Sequence, residues 1–178
     1  MIQRKPWFER RFTFDLPVSA APGLIERLRG TPIRLEHRLC GLTIPQLTAQ
    51  HGGHWSLQEN AGHLGDIEPL WMARAEDLAV GRAVLHEADL ENRQTFAAKH
   101  NESSLPVMLA RFREARADLV KQLESADEAD WERSAMHPRL KTPMRLLDHA
   151  FFVAEHDDHH LATITGLLRY TESIATPG

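Results

Sequence analysis

An all-α fold, a four-helix bundle with one long crossover connection and short connecting helices, is predicted by three features of the sequence. Four long stretches carry apolar residues at steps of three and four. No segment alternates apolar and polar residues for long enough to make a convincing strand. Between the second and third stretches lies the polar run AVLHEADLENRQTFAAKHN, residues 83–101, longer than an antiparallel hairpin of helices requires. The topology therefore need not be simple up-down-up-down.

The bulk numbers bound the rest. A chain of 178 residues suits a single domain spanning 1–178, and 42% hydrophobic with 26% charged residues is ordinary globular composition. The net charge of -4 offers no basic field, so neither nucleic acid nor an anionic membrane surface is an expected partner. The first twenty residues hold no continuous apolar stretch, which predicts no secretory leader, and no run is long enough to span a bilayer. The single cysteine, Cys40, excludes an internal disulfide and fits a reducing cytoplasm, the expected location. Eleven histidines are the unusual feature, and their positions carry the information.

Along the chain, Phe12, Phe14 and Leu16 alternate before Pro17, so residues 1–18 read as an extended lead-in. A first helical stretch over 20–42 places Leu24, Ile25, Leu28, Leu35 and Leu39 at helical spacing. Gly30-Thr31-Pro32 predicts a kink there, or a restart with Thr31 as N-cap and Pro32 first in the helix. A short helical turn follows before residue 55. Ser56 and Glu59 make a capping box after Trp55, so the second helix runs from there to about Val80, kinked at Pro69 and stopped near Gly81. The third begins after Ser103-Ser104, carries Pro106 in its first turn and reaches about Leu123. A connection with Trp131 and a His137-Pro138 break leads to Thr142-Pro143, read as the N-cap and Pro opening the fourth helix. That helix extends to about Tyr170, and the tail 171–178 reads as frayed.

At 100° per residue, Leu146, His149, Val153, His156, His160, Ile164 and Leu167 fall on one stripe of the fourth helix. Arg145, Asp148, Glu155, Asp158 and His159 lie mostly on the other side. His156 and His160 are an i, i+4 pair, the spacing by which a helix offers two nitrogens to one metal ion. On the second helix His63 shares an inward stripe with Asn60, Ile67, Leu70 and Arg74, widened by Leu64, Trp71 and Leu78. Packed together, the two helices can bring His63, His156 and His160 to one point. Three neutral imidazoles suit zinc, nickel, copper or iron rather than magnesium or calcium, and they leave coordination positions open. The spacing is equally compatible with core histidines hydrogen-bonded to backbone or carboxylate. Several imidazoles on one buried face without partners would, however, be costly.

Two longer motifs bear on that choice. WSLQENAGHLGDIEPLW (55–71) resembles the second-helix motif of the DinB family, and LLDHAFFVAEHDDHHLATI (146–164) resembles its fourth-helix motif. His137-Pro138 stands where many members carry His-Pro, and the likeness extends through ERLRGTPIRLEHRLCGLT, so that it covers nearly the whole chain. The resemblance implies a four-helix bundle with a crossover, one divalent ion such as zinc or nickel on three histidines, and frequently a homodimer. Residue by residue, His63 matches the second-helix ligand, and His156 and His160 match those of the fourth helix. His159 points about 100° away from His160 and is a poor partner for the same ion.

The neighbouring residues carry more modest expectations. His149, two turns earlier on the same face, is expected to hydrogen-bond rather than ligate. Asp66 and Glu59 could hold ligands from behind but read better as solvated. Asp157 could orient a ligand or join an interface. Arg74 is either a contact for a substrate anion or a side chain snorkelling to solvent. Trp55, Trp71 and Trp131 read as packing, and nothing near Cys40 suggests an activated thiolate.

The activities known in the broader superfamily include metal-dependent transfer to low-molecular-weight thiols such as mycothiol or bacillithiol, and thiol-dependent isomerisation. The resemblance thus implies a metal-dependent thiol S-transferase acting on a small molecule. Two alternatives accompany it: a metal-dependent hydrolase in which Asp66 or Glu59 assists bound water, and a non-catalytic, stress-related metal-binding protein.

Overall fold

The computed structural model describes residues 5–175, with side chains placed through 170. The lead-in behaves as its alternation requires. After a single 3-10 turn, Trp7–Glu9, it runs extended, with Phe12, Phe14 and Leu16 half-buried between exposed neighbours. These three side chains pack on the bundle core.

The first helical stretch is two helices, α1 (Ala21–Arg29) and α2 (Thr31–Leu39), joined at Gly30. Gly30 keeps a helical backbone, so the chain bends without unwinding. Of the two expectations the kink holds and the N-cap does not: the Thr31 hydroxyl donates back to Arg27 O at 3.2 Å. A short α3 (Ile44–Thr48) follows. The second stretch is likewise split into α4 (Leu57–Asp66) and α5 (Glu68–Ala79). Pro69 lacks the N–H that would bond the preceding turn, so the break falls at Ile67, two residues before it. Gly81, at φ 71°, supplies the left-handed residue just beyond the end of α5.

The crossover carries a short helix, α6 (Arg93–Ala97), and leads into α7 (Leu105–Glu124). A further turn, α8 (Glu128–Glu132), holds Trp131 in the core behind an Asp127–Asp130 capping box. Thr142-Pro143 does not open the last helix. Residues Ser134–Met136 (β1) and Pro143–Arg145 (β2) instead pair as an antiparallel hairpin. Only after it does α9 (Leu146–Ala175) begin. Three residues per strand are too few for alternation to be read, which is why the hairpin escapes a periodicity search. Of the tail read as frayed, 171–175 belong to α9 and 176–178 lie outside the described residues.

The four pillars are thus α1–α2, α4–α5, α7 and α9, with α1 and α4–α5 each packed against both α7 and α9. No helix among the described residues is long and apolar enough to cross a membrane. Two apolar clusters fill the interior, one around Leu28, Trp71, Leu78 and Leu147, the other around Leu35, Leu64, Phe112 and Ile164.

Two buried polar connections bind the pillars. Arg116 on α7 is 1% exposed and donates to Glu68 (3.0 and 2.6 Å), to Asp157 (2.5 and 3.1 Å) and to Leu28 O (3.2 Å). Burial opposes its charge, but the carboxylates of Asp157 and Glu68 more than offset this and keep the guanidinium protonated. Glu68 is itself pushed above the usual carboxylate range, by burial first and by Asp157 in addition, against the pull of Arg116. His149 on α9 makes the second connection, donating from Nε2 to Trp71 O of α5 at 2.9 Å. Burial, with Arg74 adding to it, depresses its pKa to about 3, so it is folded in neutral.

Replacing Arg116 by Met strands two buried carboxylates and should cost about 3–5 kcal/mol in urea denaturation, whereas simultaneous apolar replacement of Glu68 and Asp157 should recover much of that loss. A loss below about 1 kcal/mol in the single variant would show that the triad is not a structural tie. His149 has its own pH signature. Its folded pKa lies below the unfolded value near 6.5, so the unfolded chain binds the extra proton. The stability it contributes is present above about pH 6.5 and is lost as pH falls toward about 3. His149→Gln should flatten the fall in stability across that window, measured by urea melts at several pH values.

Candidate metal centre

The capping box at the start of α4 fixes where His63 lies. Ser56 Oγ accepts from Glu59 N at 3.0 Å, and Ser56 N donates to Glu59 Oε2 at 2.8 Å. Two turns later the His63 ring is buried against α9. His156 and His160 come to meet it from successive turns of α9. Ring centroids lie 5.3 Å (His63–His156), 4.8 Å (His63–His160) and 4.6 Å (His156–His160) apart. One nitrogen from each ring falls within 4.8 Å of the others, a small side-chain rotation from sharing an ion at about 2.0–2.1 Å. The three histidines therefore form a cluster able to chelate a divalent transition metal.

The surroundings suit that role. Asn60 Nδ2 donates to Ser56 O (2.8 Å) and Trp55 O (3.3 Å), which orients the amide so that its Oδ1 accepts. His160 Nδ1, 3.0 Å from that oxygen, must then carry the hydrogen, leaving the lone pair on Nε2. His63 Nδ1 stands 3.0 Å from Thr95 Oγ1, which can accept from it in the same way. His156 Nδ1 is buried with no hydrogen-bond partner among the described residues. Burial pushes the His63 pKa down to about 4, against the pull of Asp66. It pushes His156 well below the usual histidine range, helped by His63, His159 and Arg116. Burial thus holds the His63 and His156 rings neutral, the form that binds a metal.

Thr95 reaches His63 because the crossover lies directly on α4. The contact depends on Gly62, where a Cβ atom would stand 2.3 Å from the His100 ring. His100 is thereby seated, its Nε2 2.7 Å from Asp66 Oδ2 and its carbonyl accepting from Gln58 at 2.6 Å. The neighbours therefore sort differently from expectation. Asp66 pairs with His100 and Glu59 is spent on the cap, so neither carboxylate lines the space beside the histidines. Asp157 belongs to the Arg116 triad, and His149 hydrogen-bonds as expected.

That space is a cavity of about 330 Å³. Trp55 and Trp71, read from the sequence as packing, are part of its wall. His159 stands apart from the cluster but also lines the cavity, its ring 5.5 Å from His160 and 5.6 Å from Trp7. Arg74 is not a snorkelling end residue: it is 1% exposed on the cavity wall. Sequence reasoning missed Trp7, which packs edge-on to His156 at 5.1 Å, together with Thr95 and Arg139. Each arrives from a non-helical or short segment far away in sequence, and no local pattern marks it.

Known proteins bear on this arrangement in fold and family. No curated protein matches the sequence. YfiT from Bacillus subtilis, described as a probable metal-dependent hydrolase with an unusual four-helix bundle topology, superposes with a TM-score of 0.79 at 20% identity. The match covers 92% of this chain and 94% of that one. The mycothiol-dependent maleylpyruvate isomerase superposes with a TM-score of 0.65 at 11% identity over 83% of this chain, which spans only 60% of the isomerase. At these identities the likeness is one of fold: the same bundle with its crossover. The model of the DinB superfamily matches residues 27–164, the span from α1 to the second cluster helix, and the chain belongs to that superfamily.

Proposed function

We propose that the protein is a metal-dependent hydrolase of small molecules, with His63, His156 and His160 as the ligands of one zinc or nickel ion. The observation that carries this reading is the meeting of three imidazoles on the wall of a partly open, largely aromatic cavity, with two of them oriented from behind by Asn60 and Thr95. An ion so held supplies Lewis acidity to an oxygen donor, and three protein ligands leave room for one. The remaining work falls to the chain. Trp7, Trp55 and Trp71 exclude bulk water and offer flat apolar walls to the substrate. His159, half-buried beside His160, is the ionisable side chain positioned to take up or return a proton, a task for which Asp66 and Glu59 are committed elsewhere. The hydrolase description of the structurally similar YfiT supports the same reading.

A second reading is thiol transfer, in which a small thiol occupies the open coordination position. It is supported by the fold shared with the mycothiol-dependent isomerase and by the preference of soft donors for borderline ions. A stress-related metal-binding protein without catalysis is the third.

Equilibrium dialysis against zinc, nickel or cobalt should give about one ion per chain, lost in His63→Ala, His156→Ala and His160→Ala. Asn60→Ala and Thr95→Val should weaken binding roughly 10–100-fold while leaving the fold intact. Full metal occupancy after loss of any of the three histidines would remove that residue from the ligand set. The loaded protein should cleave members of a panel of small esters and amides without added thiol. His159→Ala should retain the metal but lower kcat by roughly 10²–10⁴. Turnover that requires a thiol, with sulfur-to-cobalt charge-transfer absorption, would favour the transferase; metal binding with neither signal would leave a binding protein.

A further inference from the structure

Away from the histidine cluster, the cavity has a corner in which hydrogen-bond donors outnumber acceptors. Arg74 on α5 donates from Nε to His86 O at 2.9 Å, and its guanidinium lies 5.6 Å from the Trp71 ring centroid. Its Nη1 is 3.2 Å from His137 Nε2. His137 is neutral, pushed down to about 3 by burial and by the charges of Arg74 and Arg139, so only one of its ring nitrogens can accept. That nitrogen is Nδ1, to which the backbone N–H groups of Arg139 and Leu140 donate at 3.2 and 3.1 Å. Nε2 therefore carries the hydrogen and faces another donor, Arg74 Nη1. Two donors cannot bond to each other; an acceptor seated beside both, within hydrogen-bond reach of each, satisfies them.

Two more donors on the same cavity lack partners: Arg139 Nη2 and Trp71 Nε1 are both buried with no hydrogen bond among the described residues. Among the described residues neither Arg74 nor Arg139 forms an ion pair. Asp77, one turn from Arg74, is engaged by His86 at 2.7 Å and Arg82 at 3.0 Å. The acidic groups of the cavity mouth, Glu87 and Asp89, are exposed, and Asp89 accepts from Glu91 N and Gln94 N. A buried arginine without a direct carboxylate partner among the described residues is costly, and burial, with Arg139 beside it, lowers its pKa to about 10 against the pull of Asp77. A bound anion would remove that cost.

We propose that Arg74, His137, Arg139 and Trp71 bind a carboxylate, so that the substrate is a small carboxylic acid whose other end reaches the histidine cluster. The donor set matches this group. Arg74 Nη1, His137 Nε2, Arg139 Nη2 and Trp71 Nε1 equal in number the lone-pair sites of a carboxylate, about four. A phosphate dianion would bring more acceptors and a second charge than these residues satisfy, against walls otherwise formed by Trp7 and Phe152. Trp71 joins the two ends, its ring 5.4 Å from His156 and 5.6 Å from Arg74. The inference rests on the hydrolytic reading only for what happens at the far end of the substrate; the anion corner can be read by binding alone.

The experiment is calorimetric titration of metal-loaded and chelator-stripped protein with phenylacetate, with its neutral isostere phenylacetamide, and with inorganic phosphate. Phenylacetate should bind both forms of the protein, and phenylacetamide roughly tenfold or more weakly. Arg139→Gln, at a half-buried position where folding is readily verified by thermal melting, should weaken phenylacetate roughly 10–100-fold. Arg74→Gln should do the same if its melt shows a folded protein. Equal binding of the amide, tighter binding of phosphate, or no phenylacetate binding at millimolar concentration would overturn the proposal. So would binding that disappears with the metal yet survives Arg139→Gln, because the carboxylate would then be a metal ligand. Carboxylate binding that persists where no ester or amide is cleaved supports the anion corner and counts against the hydrolytic reading alone.

Discussion

Arg116 is a permanent positive charge almost wholly removed from water, and the bundle is arranged to answer it. Glu68 from α5, Asp157 from α9 and the Leu28 carbonyl from α1 converge on one guanidinium carried by α7. A charge in that position is tolerated only with its partners in place, so helices that pack out of register lose far more than contact area. The constraint falls hardest on α9. With Asp157 directed to Arg116, the rotation of that helix is set, and the adjoining residue His156 is carried about 100° round toward α4. His160, one turn on, follows it. The ionic tie that holds four pillars thereby aims two imidazoles at the third.

Aim alone does not select which nitrogen of each ring is presented. That selection comes from behind. Asn60 belongs to the same helix as His63 but serves His160 on the opposite helix, and its amide is locked by two backbone carbonyls of the α4 start. The Ser56 cap that begins the helix thus also supplies the carbonyl that orients the residue orienting His160. Thr95 comes from the crossover, and it reaches His63 because Gly62 lets His100 lie against the α4 backbone. A long connection that costs chain entropy is here pinned at several points and becomes part of the site's support.

Much of this was legible in the sequence, for identifiable reasons. Steps of three and four located the helices, Ser56 and Glu59 fixed a start, and the i, i+4 spacing singled out His156 and His160. Each depends on residues within a few positions of one another. The break at Gly30-Thr31-Pro32 falls where the sequence places it, whereas the one expected at Pro69 falls at Ile67, because the missing N–H is felt upstream of the ring that lacks it. The hairpin was missed because its strands are three residues long and its Thr-Pro pair imitates a helix start. Asp66 and Glu59 were credited with possible roles at the site that the fold withdraws: one is taken by His100, 34 positions away in sequence, the other by the cap it belongs to.

What the sequence could not supply is the cavity, and the reason lies in how labour is divided in the fold. The histidine cluster stands on α4 and α9, helices whose geometry is repetitive and therefore readable. The opposite wall is built from Trp7 and Phe8 of the lead-in, residues 87–90 and Asn92 of the crossover and His137 to Arg139 of the hairpin loop, with Arg74 and Trp71 behind them. These segments follow no period, so their meeting is a tertiary event. Rigid helices keep the imidazoles close, while irregular segments set what lies beside them. Three buried polar groups without a hydrogen-bond partner among the described residues stand on this cavity: His156 Nδ1 at one end, Trp71 Nε1 between, and Arg139 Nη2 at the other. Native interiors rarely leave such groups unmatched, and where several do so around one space, the space is shaped for something that matches them.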